Sequence, residues 1–271
     1  MARISDIIAA AELLWPTSGA DDWDRPGLIA GSFHLDVSRV LLTVDVTSEV
    51  IDDAIAGNFD LVFSHHPFLL RGVTTIAENT AKGNVLAKSI RNDIALFAAH
   101  TNADITSTGV SATLAGAIGL PHAIPLVSTG QDLGHGRIGV LPESVPLVDF
   151  ARAVAASLPA TAGGVQVAGD PAQAIKKVAL CGGAGDSFAA AALQEGADVY
   201  ITSDMRHHPT QDVLESAAAL GRKFAVINIS HWAAESLWLK VAAKELEKAL
   251  PGVKFEVSDL RTDPWDFAVT Q

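Results

Sequence analysis

The sequence predicts an α/β protein made of two similar lobes related by a pseudo-twofold axis. Three observations point there. Apolar, β-branched runs alternate with Ala-rich amphipathic stretches, the pattern of strands and helices in mainly parallel layers. Residues 40–67, VLLTVDVTSEVIDDAIAGNFDLVFSHHP, are echoed by residues 178–209, VALCGGAGDSFAAAALQEGADVYITSDMRHHP. Each half then closes alike, on an apolar strand ending in His with an acid four residues on: His100 and Asp104, then His231 and Glu235. A period of roughly 130–140 residues is too long for a solenoid and fits duplicated lobes.

Residues 4–15 read as an amphipathic helix, and 18–31 as a loop punctuated by Gly, Asp and Pro. A β-branched strand at 39–46 leads into a helix at 47–57, with Thr47 or Ser48 as N-cap and Gly57 near its end. A buried strand at 60–64 runs into His65-His66-Pro67, where proline forces a turn. Helix 80–91, strand 94–99 and helix 108–118 complete the first lobe. The stretch 121–146, rich in Pro, Gly and Thr, marks the boundary and divides the chain into lobes 1–125 and 126–271. The second lobe reads as helix 146–157, strands 165–170 and 176–181, helix 186–196, strand 198–203, helix 208–220, strand 223–229, helix 232–249 and strand 253–259.

Composition narrows the function. Of 271 residues, 49 % are apolar, enough for a sizeable core. No apolar run approaches the roughly 18–20 residues of a membrane span. Acids at Asp6 and Glu12 make the N-terminal stretch a helix rather than a signal peptide. The formal charge of −12, without a Lys/Arg cluster, argues against a nucleic-acid surface. The single cysteine, Cys181, excludes an intramolecular disulfide and a thiolate metal cluster, and a reducing cytoplasmic setting is the default.

The chemistry lies in the histidines. Strand C-terminal ends are where α/β sheets carry ligands, so the His-rich stretches point to a metal site in the cleft between the lobes. Once the strand breaks at Pro67, the adjacent imidazoles of His65 and His66 can diverge and serve different ions; alternatively one is exposed and the other bonded to backbone. His231 and Glu235, at i and i+4, share a helix face and can offer one nitrogen and one carboxylate to the same ion; alternatively Ser230 caps the helix and Glu235 complements its dipole. Asp104 would reach the same cavity as Glu235 if the halves face each other, so that one carboxylate bridges two metals. His100 reads as a supporting residue or a proton carrier, without a direct metal bond. His207 and His208 repeat the opening motif; they face solvent or line the cleft, and His208 is a candidate proton carrier. Residues 181–187, CGGAGDS, form a tight Gly-rich turn into a helix, or an anion cradle. The donor set, nitrogen and oxygen without sulfur, suits Zn, Fe, Mn or Co.

At these residues the chain resembles the Nif-three-like family, which carries the label GTP cyclohydrolase 1 type 2 homologue. The match runs through WDRPGLIAG (23–31), residues 41–72 with their SHHP, IALFAAHTNADIT (94–106), GVSATLAGAIGL (109–120), residues 178–209, and VINISHWAAESLWLKVAAKEL (226–246). The resemblance implies two α/β lobes, two divalent metal ions per subunit, and a toroidal homohexamer. Matched onto this chain, the family's ligands are His65, His66, Asp104, His231 and Glu235, with Glu235 as the bridge. The late motif departs from the family's Gly-His-Tyr and reads Ser230-His231-Trp232. The function implied is hydrolysis of a small, nucleotide-like molecule by metal-activated water. The alternative is a metal-binding ring that scaffolds, stores metal or regulates. Opening the ring of GTP would call for a basic triphosphate pocket, and the sequence offers only the scattered Arg71, Arg206 and Lys82.

Overall fold

Strands with every residue buried place helices on both sheet faces, and both halves of the chain contain such strands. The computed structural model describes residues 2–130 and 132–269. Its contacts gather into two compact units, 1–103 with 239–262, and 104–238 with 263–271.

The first unit begins with β1 (Ala2–Arg3), α1 (Ile4–Leu14), β2 (Gly27–Ala30) and β3 (Asp36–Val37). It continues through β4 (Arg39–Thr43), α2 (Ser48–Ala56), β5 (Leu61–Ser64), α3 (Ala81–Arg91) and β6 (Ala95–Ala98), and reaches α4 (Thr101–Asp104). The three strands β4, β5 and β6 pair in parallel, and β2 closes the edge beside β6 in the antiparallel sense. Leu61–Ser64 of β5 are buried throughout, as a central parallel strand requires. Thr47 is the N-cap of α2, its hydroxyl accepting from the Val50 amide at 3.2 Å, and Gly57 is the C-cap. One face of the sheet carries a core of Leu41, Val50, Ile51, Val62, Val85 and Leu96. Each such side chain contributes about 1.5–3 kcal/mol by leaving water.

The second unit contains α5 (Val110–Ala117), β7 (Val127–Gly130), β8 (Leu133–His135), β9 (Arg137–Pro146), α6 (Leu147–Ser157), β10 (Gln166–Ala168) and β11 (Ala174–Ala184). It continues with α7 (Ala189–Gln194), β12 (Val199–Ser203), α8 (His207–Ala219) and β13 (Ala225–Ile229), and α9 (His231–Ala249) begins in this unit and ends in the first. Strands β11, β12 and β13 form the same parallel trio, flanked by antiparallel β9 and β10. Period-two alternation divides the two faces. Val178, Leu180, Val199, Ile201 and Ile227 pack with Phe150 and Val154 of α6. Ala179, Tyr200 and Val226 pack with Ala192 of α7 and Val213 of α8.

The last strand, β14 (Lys254–Val257), pairs in parallel with β4, so the first sheet has the order β14-β4-β5-β6-β2. The chain therefore does not divide at one point near residue 125. The α9 helix carries it back, and the C-terminal strand completes the first sheet. No helix among the described residues is long and apolar enough to cross a membrane.

Candidate metal centre

Parallel pairing sends the C-terminal ends of β4, β5 and β6 to one sheet edge. Asp45, His65, His66 and His100 stand in the segments that leave that edge. The ladder carries on past the strands: the amides of His65 and His66 donate to the carbonyls of Thr43 and Val44 at 3.0 and 2.9 Å. This fixes both backbones before the chain turns at Pro67. The two rings lie 5.1 Å apart, and the His100 ring lies 5.1 Å from His65 and 5.3 Å from His66. One ligand nitrogen from each of the three lies within 4.8 Å of the others, close enough to hold one ion.

Each of these rings is oriented through Nδ1. His65, fully buried, donates from Nδ1 to the Ala99 carbonyl at 2.9 Å. His66 donates to Asp45 Oδ1 at 2.7 Å, and Thr262 braces the other oxygen of Asp45 at 2.6 Å. His100 donates to Asp24 Oδ1 at 2.8 Å. A carbonyl or carboxylate oxygen only accepts, so the proton sits on Nδ1 and Nε2 is the ligand nitrogen of the neutral ring. Metal-bound histidines show this arrangement, with an oxygen fixing tautomer and ring plane. Asp24 is itself buried and accepts from the Thr101 amide and hydroxyl at 3.0 and 2.5 Å. Burial pushes its carboxyl up, but the hydrogen bonds from His100 and Thr101 outweigh that and hold it down at about 2.

The second unit repeats the device with different parts. His231 opens α9, where Ser230 accepts from the Ala233 amide at 3.2 Å as the cap. Its Nδ1 donates to Asp204 at 2.8 Å, and its Nε2 lies 2.8 Å from Oε1 of the buried Glu235. Burial favours the neutral ring, but the Glu235 and Asp204 carboxylates prevail and raise the imidazole to about 11. Between two carboxylates the ring favours its charged form, and the same negative surroundings would favour a bound cation. The Gly-rich turn expected to leave the strand at 181 is instead the irregular, bent end of β11, which runs on to Ala184. At Gly183, with φ at +74°, a Cβ would lie 2.6 Å from Glu235 Oε1 and 3.5 Å from His231 Nε2. The turn is a close backbone approach to this pair. Its glycine carbonyls are taken by Thr202 and Tyr200 at 3.0 and 2.6 Å.

Asp104 closes α4 and is partly buried. His207 and His208 are exposed and open α8. Their rings lie 5.2 Å apart. Asp204, at φ +52°, ends β12 in a left-handed turn, and the echo of His65-His66-Pro67 is drawn into a first helical turn. Sequence reasoning missed the three acids that brace histidines, Asp24, Asp45 and Asp204. Asp45 and Asp204 each follow the end of a strand, and that position is the signal that could have found them.

The family model Duf34/NIF3 (NGG1p interacting factor 3) matches residues 2–264. A Streptomyces coelicolor protein named GTP cyclohydrolase 1 type 2 homolog is 40 % identical over 273 residues, covering 98 % of this chain and 94 % of that one. A Mycobacterium tuberculosis protein of the same name is 30 % identical over 373 residues, covering 97 % of each. Among solved structures, a Bacillus cereus protein related to NIF3 superposes with a TM-score of 0.89 at 25 % identity, covering 98 % of this chain and 99 % of that one. A hypothetical protein of Staphylococcus aureus gives 0.88 at 27 %, with the same coverage.

Proposed function

This chain belongs to the Duf34/NIF3 (NGG1p interacting factor 3) family, and from that membership we propose that it is a cytoplasmic, dinuclear metal-dependent hydrolase of a small, nucleotide-like molecule. Two divalent ions, Zn, Fe, Mn or Co, are held by His65, His66, Asp104, His231 and Glu235. The observation that carries this reading is the shared orientation of the histidines. His65, His66 and His231 each give Nδ1 to an oxygen, which leaves Nε2 as the donor toward a cation.

A pair of such ions supplies a water of lowered pKa and positive charge for an oxyanion. The protein's own contribution is orientation and proton handling. Asp45 and Asp204 keep the His66 and His231 rings in plane. His100, braced by the buried Asp24, is the group placed to move a proton. His208, exposed at the start of α8, is the weaker candidate for that role.

The relatives' name points to GTP. In this chain Arg206 is paired with Asp186 and Lys82 donates to the Phe68 carbonyl at 2.5 Å. Neither supports a triphosphate cradle, which favours a smaller or less charged substrate. We place the protein in a homohexamer by family likeness, with no nucleic-acid or membrane partner; light scattering on the metal-loaded protein tests the assembly.

The deciding experiment has two stages. Metal analysis should find close to two ions per chain, falling in His65→Ala and Glu235→Ala. A turnover screen over phosphoesters, nucleotides and cyclic amides should then show activity absent from both variants. Metal below one ion per chain, unrestored by reconstitution, sinks the metal reading. Full metal without turnover leaves a metal store, scaffold or regulator.

A further inference from the structure

Arg137 is a large buried cation that the proposed mechanism leaves without a task. It opens β9 with 2 % of its surface exposed. Its Nη1 donates to the carbonyls of Gly134 and Gly136 at 2.7 and 2.6 Å. Its Nη2 donates to the Ile105 carbonyl at 3.2 Å and to the Thr106 carbonyl. All four acceptors are neutral, so the fork satisfies hydrogen bonding without supplying a counter-charge. A buried charge needs one. The acidic groups that act on it through space are Cys181 and Asp104. Burial pushes the Cys181 thiol up, and a charged Asp104 favours the charged guanidinium.

The Nη2 bonds fall on the two residues that immediately follow Asp104. The Gly134 amide adds a third tie to this segment, donating to the Ile105 carbonyl at 3.0 Å. Asp104 itself ends a helix of only four residues, too short to hold its own direction. The corner between β8 and β9 thus ties down the chain immediately after Asp104.

We infer that Arg137 is a positioning residue for Asp104: its guanidinium clamps the 105–106 carbonyls and balances the carboxylate, so that Asp104 is presented to a metal ion in one orientation. This rests on the reading of Asp104 as a ligand.

The test uses full-length protein, stripped of metal and titrated with Co²⁺ against a chromophoric chelator. Wild type is compared with Arg137→Met, Arg137→Lys, Asp104→Asn and the double variant Arg137→Met/Asp104→Asn. Arg137→Met should weaken one of two ions by about tenfold to a hundredfold and leave the other, with a changed Co²⁺ visible spectrum. Arg137→Lys should recover part of that loss. The double variant should bind like Asp104→Asn alone, within about twofold, because the two residues act as one unit. Unchanged or tighter affinity in Arg137→Met overturns the inference, as does a double variant that loses the product of both effects. If Arg137→Met does not fold, Arg137→Lys decides: a selective loss at one ion supports the inference, and wild-type affinity overturns it. Wild type binding less than one Co²⁺ per chain is a separate outcome; it removes the ligand reading and this inference with it.

Discussion

The Cβ that Gly183 lacks would lie 2.6 Å from Oε1 of Glu235. That distance ties the Gly-rich turn to the carboxylate it faces. The glycine is required twice, once by the approach and once by its φ of +74°. A left-handed conformation alone costs an L residue about 1–2 kcal/mol. Gly183→Ala should therefore unfold at lower temperature by calorimetry. It should also displace Glu235 from His231 and lose bound metal, whereas alanine at the open Gly163 should change neither.

His66 should be as sensitive to its brace as to its own removal. Asp45 holds its Nδ1 at 2.7 Å while Thr262 holds Asp45. Loss of such an outer partner typically weakens metal binding by about 10- to 100-fold. Asp45→Asn should show that loss in a chelator competition, and Thr262→Val a smaller one. Wild-type affinity in Asp45→Asn would count against orientation by the carboxylate.

Much of this architecture is legible in the sequence because its signals are local. Thr47 caps α2 and Gly57 ends it, as the cap residues predict. The parallel trios follow from strands too apolar to face water, such as residues 61–64 and 199–203. What was not legible depends on long-range closure. Asp24 and His100 are 76 residues apart, and no periodicity links them. The return of β14 to β4 is equally silent, since a short apolar strand does not say which sheet it joins. His207-His208-Pro209 shows the opposite failure. The motif is repeated, but the copy opens α8, behind a left-handed Asp204.

Asp24 should dominate the acid sensitivity of its loop. Its folded pKa, about 2, is depressed from the ordinary aspartate value of 3.8. A depressed carboxyl contributes stability that is present above the unfolded pKa and is lost as pH falls through the folded one. The window is therefore about pH 4 down to 2, and the size, from that difference in pKa, is on the order of 2 kcal/mol. Urea unfolding of metal-free protein across this range should show a steeper loss for wild type than for Asp24→Asn. Asp24→Asn should already be less stable at pH 6, because the partly buried His100 and buried Thr101 donors lose their charged acceptor. Identical slopes for the two proteins would show that the carboxylate does not carry this effect.

Cys181 should be inert in the native protein. Its thiol is buried, and burial together with the Asp104 and Glu235 charges pushes it up to about 12. The thiolate is the nucleophile, so reactivity at pH 8 depends on the small deprotonated fraction and on access. Both are low here. The thiol sits on β11 beside its Gly-rich end, where a Cβ on Gly185 would lie 2.6 Å from the Cys181 Cβ, so this residue is closely surrounded by backbone. Labelling with an aromatic disulfide reagent should be slow in the folded protein and complete in guanidinium. Fast labelling of the folded chain would mean that the turn opens on the timescale of the reagent. Metal loss should then track the same opening, because Gly183 in that turn packs on Glu235.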